Sequence, residues 1–207
     1  MKRPWNKKPW DSFERNYVAL EETDPASGKT RIRYAYYGPW FVCKNGKEAL
    51  NRARGGAGIA LIVNVAAALW AGLQDSAMNR SGLTSVPYGL ALAALIFTLM
   101  GTGCLIFSGE KVKRPDYERM HRLLSAAPPV QAALMLLAVI AGLYLLISGQ
   151  AAAREAWPVA GYCLSGGAAA FTYFLFRALR YRQEKNTEYE FAEDALTASI
   201  KDKSEVE

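Results

Sequence analysis

The 207 residues give room for one ordinary domain or one small membrane bundle. Hydrophobic residues make up 51% of the chain, its net charge is +6, and nearly all the charge lies in residues 1–54, 109–127 and 177–207. A soluble domain spreads charge along amphipathic elements, so these blocks argue against one and for lipid. Basic residues beside membrane spans account for the positive balance without nucleic acid.

The first segment, 1–54, opens with Lys2, Arg3, Lys7 and Lys8 but has no apolar core behind them, so no secretory signal peptide is expected. Residues 17–42 read as a small cytoplasmic β-hairpin. One strand is expected over 17–20 and the other over 30–36, where Thr30, Ile32, Tyr34 and Tyr36 alternate onto one face. Asp24-Pro25-Ala26-Ser27-Gly28 supplies turn chemistry between them. A lone hairpin is marginal in water and must rest against something. Gly38-Pro39-Trp40 then ends the second strand, and 46–54 is expected to form a short helix. Tyr34, Tyr36, Trp40 and Phe41 are candidates for a cytoplasmic docking patch, ordinary hairpin packing and interfacial anchoring being the plainer reading.

A transmembrane domain over 55–179 follows, with four spans expected at about 57–73, 87–108, 129–149 and 157–179. About 20 apolar residues cross ~30 Å of hydrocarbon. The second and third segments meet this easily; the first is rich in Ala and Gly, and the fourth is diluted by Ser165-Gly166-Gly167. The fold expected is an all-α membrane protein, a four-transmembrane-helix bundle carrying the small hairpin at its N-terminal side. In the 109–127 loop, Tyr117, Met120 and Leu124 share one helical face, which predicts a short helix lying in the membrane interface. The tail, 180–207, is expected to leave the membrane as a helix. A second helix would start at Thr187, where Thr187 and Glu190 fit a capping box.

Lys and Arg set the direction. Residues 1–54 carry twelve, the 109–127 loop five and the tail from Arg177 six, against only Arg80 and Arg154 in the two other loops. The positive-inside rule then puts both termini and the middle loop in the cytoplasm, in a plasma membrane whose anionic lipid faces them.

No expected span holds Asp, Glu, Lys, Arg or His in its interior, which counts against a proton- or sodium-coupled transporter. The single histidine, His121, sits in the middle loop, so no metal site, cofactor site or catalytic group is expected. Cys104 and Cys163 fall at depths of roughly 25 and 9 Å from the outer boundary, too far apart to pair.

Packing is what the spans advertise. Ala60, Asn64, Ala68 and Gly72 recur every four residues in the first; Ala94, Thr98 and Thr102 do so in the second; Gly161, Ser165 and Ala169 in the fourth. Small residues at this spacing let helices approach closely, since lipid supplies no hydrophobic force between them. Asn64 reads as the one strongly polar residue in mid-span, expected to make an interhelical hydrogen bond. The function expected is a non-catalytic accessory, assembly or scaffold subunit whose partner is another membrane protein or a second copy of itself. The alternative is a small uncoupled transporter or channel that oligomerises around a path lined by Asn64, Thr98, Thr102, Ser165 or Thr172.

Overall fold

Four long helices carry the larger part of the chain. In the computed structural model, which describes residues 16–23, 30–36, 38–152 and 156–186, they are α1 (Lys47–Leu73), α3 (Gly82–Phe107), α4 (Arg114–Ile147) and α5 (Trp157–Ala178). Each is long and apolar enough to cross a membrane. A single turn, α2 (Ala77–Arg80), joins α1 to α3.

Local chemistry sets the ends. Gly46 takes a positive φ of 84° just before α1, a conformation that L side chains resist. Ser76 and Ser81 cap α2 and α3, their hydroxyls accepting from the Asn79 and Leu83 backbone amides. Pro158 sits in the first turn of α5, where its missing N–H costs no hydrogen bond.

Several helices are longer than the sequence pattern indicated. The short helix expected over 46–54 is not separate: it forms the first turns of α1. The helix expected to lie in the interface near 116–124 is the beginning of α4, which runs on through Pro128 and Pro129. Met120 and Leu124 explain this, because both are buried against Leu50, Ala57, Leu105 and Phe176 rather than turned to a surface. Pro87 likewise lies within α3 instead of starting it.

The chain clusters into two compact units. The helical unit comprises Cys43–Glu110 and Asp116–Tyr181. Its interior inverts the soluble pattern: Ala57, Ala68, Ala71, Asn64, Thr98 and Ser165 are buried, whereas Ile59, Ile62, Ile96, Phe97, Leu136 and Ile140 are exposed, Ile62 by 71%. α1 and α5 pack on each other most extensively.

The smaller unit draws together the described residues up to Val42, Lys111–Pro115 and the described residues from Arg182 to Asn186. Its hairpin pairs β1 (Tyr17–Thr23) with β2 (Thr30–Tyr36) in antiparallel register, Tyr17 opposite Tyr36 and Thr23 opposite Thr30. A three-stranded sheet that the sequence pattern did not indicate has the order β4-β3-β5, with β3 (Trp40–Cys43) central between β4 (Lys111–Lys113) and β5 (Tyr181–Glu184). β5 replaces the helix expected after the last span, because the edge of β3 offers its backbone a partner. The turn expected over 24–28 and the helix expected from Thr187 lie outside the described residues.

Candidate functional site

The middle of the helical unit is held by three polar side chains from three helices. Asn64 of α1, Gln131 of α4 and Ser165 of α5 are each 0% exposed. The Gln131 amide donates to Asn64 Oδ1 at 2.8 Å, and the Asn64 amide donates back to Gln131 Oε1 at 3.3 Å. The Ser165 hydroxyl donates to Asn64 Oδ1 at 2.7 Å. Thr98 and Thr172 turn their hydroxyls to the carbonyls of Ala94 and Ala168 in their own helices. These groups are neutral and mutually satisfied, so they fix helix register, each bond contributing about 0.6 kcal/mol and at most roughly 1.7.

A second knot closes the end where α1 stops. Tyr88 donates to the Ala68 carbonyl at 2.8 Å, and the Asn79 amide donates to the carbonyls of Ala71 at 2.8 Å and Gln74 at 2.7 Å. The Tyr162 hydroxyl donates to Asn79 Oδ1, and the two tyrosine rings lie 5.3 Å apart. The Ala71 carbonyl, orphaned by the helix end, thereby gains a partner. At the opposite end Arg54 donates to the carbonyls of Ser108 at 2.5 Å and Gly109 at 2.9 Å, past the last turn of α3.

The small-residue faces point into the chain's own core. Ala60, Ala68, Thr98, Thr102, Gly161, Ser165 and Ala169 are all buried. A Cβ on Gly161 would lie 2.6 Å from the Ala71 Cβ and 3.0 Å from the Ala67 carbonyl, so only glycine permits this crossing of α1 and α5. Gly72 is exposed, yet the Tyr88 hydroxyl occupies the place of its missing Cβ.

In the strand unit, Tyr36 is the hub of the proposed docking residues. Its ring meets Tyr17 at 5.3 Å and Trp40 at 5.1 Å, both edge-on, and Lys113 places its ammonium 5.4 Å from the Tyr36 ring centre. The Tyr36 hydroxyl donates to the Pro39 carbonyl at 2.6 Å and accepts from the Arg114 amide at 2.8 Å. Asn186 donates to the Tyr36 carbonyl at 2.7 Å. Tyr36 and Trp40 are thus brought together. Phe41 alternates to the other face of β3, and Tyr34 stands 57% exposed.

Sequence reasoning missed Gln131, Tyr88, Tyr162 and Asn79. Gln131 carried a signal, a lone amide inside an apolar run, but its helix was expected to begin only two residues earlier. Among the described residues, no three His, Cys, Asp or Glu side chains gather as a metal site requires. Cys43, Cys104 and Cys163 are all free thiols. No protein-family model, curated protein or solved structure matches this chain.

Proposed function

We propose that this chain is a multipass plasma-membrane protein with both termini in the cytoplasm, acting as a non-catalytic accessory, assembly or scaffold subunit. The observation that carries this reading is the inverted burial of the helical unit. Its polar and small residues face inward, Asn64, Gln131 and Ser165 closing hydrogen bonds on one another, while large apolar side chains such as Ile62, Phe97 and Leu136 face outward. An exposed apolar belt of this kind requires lipid or other transmembrane helices against it. Lys and Arg crowded into 1–54, 109–127 and the tail favour the cytoplasm for those segments.

The packing also weighs on the alternative. Asn64, Thr98, Thr102, Ser165 and Thr172, the residues expected to line a path, are all closed off within one chain. A channel or carrier would therefore route its substrate between protomers, along faces that carry Ile, Leu and Phe.

The test is gentle extraction into lipid nanodiscs with particle mass and protein composition determined together. A stoichiometric second protein is expected. It should be lost when exposed positions such as Ile62 or Leu136 are changed to Asn, and kept when cytoplasmic surface positions are changed. A pure homo-oligomer with measurable flux would overturn the reading in favour of a channel, and a lone monomer would overturn both.

A further inference from the structure

The strand unit contains a pocket of about 370 Å³ whose lining is mostly charged and polar. Trp40 of β3 and Lys111 of β4 form one wall, Arg182, Glu184, Lys185 and Asn186 the other. Three cations face one carboxylate there. Arg182 uses that carboxylate, its guanidinium lying 2.7 Å from Glu184 Oε1. Among the described residues, Lys111 and Lys185 have no acidic partner. Two polar atoms of lining residues, the Trp40 indole Nε1 and Asn186 Oδ1, are closed off from solvent, and so from the pocket itself, without a hydrogen-bond partner among the described residues. Buried polar atoms of this kind are uncommon in folded proteins and are often explained by a bound ion or water.

We propose that this pocket binds a phosphate group carried on a small polar molecule. Two ammonium groups without an acidic partner among the described residues offer the donors that a multiply charged oxyanion accepts from, and the guanidinium adds a planar donor fork. The volume exceeds what a bare phosphate fills, so the ester part sits within it as well. Two sources share this chemistry. One is a soluble phosphate ester. The other is a lipid headgroup, because Lys111 and Arg182 each follow the end of a long apolar helix, Phe107 or Ala178, by four residues of sequence.

The experiment uses the full chain in nanodiscs of phosphatidylcholine. In one arm glycerol 3-phosphate is titrated in, with its phosphorus NMR linewidth and the Trp40 fluorescence (wild type minus Trp40→Phe) read together. In the other arm phosphatidic acid replaces part of the nanodisc lipid. Saturable binding is expected in at least one arm: saturation by glycerol 3-phosphate assigns a soluble ester, and saturation in the phosphatidic acid arm alone assigns a headgroup. The double variant Lys111→Ala/Lys185→Ala should weaken binding by about tenfold or more, while Arg119→Ala/Arg122→Ala, which removes equal charge elsewhere, leaves it unchanged. Absence of saturation in both arms overturns the proposal. So does an equal loss in the two double variants, which would mean diffuse charge attraction instead of a site.

Discussion

The helical unit and the strand unit place their charged and polar groups differently. In the first, Asn64, Gln131 and Ser165 are sealed in the middle and satisfy one another, and the outside is apolar. In the second, charge lies outside and an aromatic knot around Tyr36 holds the strands. A sealed polar core serves register. Cations beside a pocket, without an acidic partner among the described residues, leave chemistry over for a ligand.

The contrast breaks most severely at Gly161. In Gly161→Leu the side chain must enter space held by the Ala71 methyl and the Ala67 carbonyl, so α1 and α5 must separate. Overpacking of this sort costs about 3 kcal/mol. Unfolding in mixed micelles titrated with denaturing detergent should show it, and an unchanged midpoint would mean that the two helices do not pack as described.

Next come the amides. Asn64→Leu and Gln131→Leu each leave a buried partner unsatisfied and should each cost about 1–2 kcal/mol. The double variant should cost less than their sum, because the second change removes the group that the first had orphaned. Strict additivity in the same detergent titration would show that the pair is not bonded in the bilayer. Smaller again is Tyr36→Phe. It removes one bond to the Pro39 carbonyl and one from the Arg114 amide, a loss of about 1 kcal/mol confined to the strand unit. Faster hydrogen exchange at Arg114 with an unchanged detergent midpoint is the expected pattern.

How much of this was legible in the sequence follows from segment length. Four apolar runs of roughly span length announce four helices because each sums many residues. Their starts are harder to read: Pro128 and Pro129 look like a helix beginning, yet the carbonyls they leave unbonded are tolerated and α4 continues through them from Arg114. That error pushed Gln131 toward an expected boundary and hid it as the partner of Asn64. The hairpin was legible through alternation. The three-stranded sheet was not, since Lys111-Val112-Lys113 and Tyr181-Arg182-Gln183-Glu184 are too short to carry a period and become strands only through β3. The pocket was hidden for the same reason, its walls coming from segments far apart in sequence.

The gentlest test concerns Tyr181, at the junction of α5 and β5. Its hydroxyl is buried with no hydrogen-bond partner among the described residues. Burial pushes the phenol up to about 12, with the neighbouring Cys43 and Tyr117 adding to the rise and Arg54 opposing it. The folded state therefore holds this proton more tightly than the unfolded chain, whose phenol titrates near 10. The stability tied to the neutral phenol is fully present below pH 10 and is lost as pH rises from 10 toward 12. Tyr181→Phe deletes an unpartnered polar atom, so at neutral pH it should be close to neutral in stability. Above pH 10 the variant should become the more stable of the two. Detergent midpoints for both chains from pH 7 to 12 check this directly, and the other tyrosines and lysines that titrate in the window cancel in the difference. A difference that stays flat across the window would place Tyr181 in water, and its packing beside Cys43 and Tyr117 would have to be redrawn.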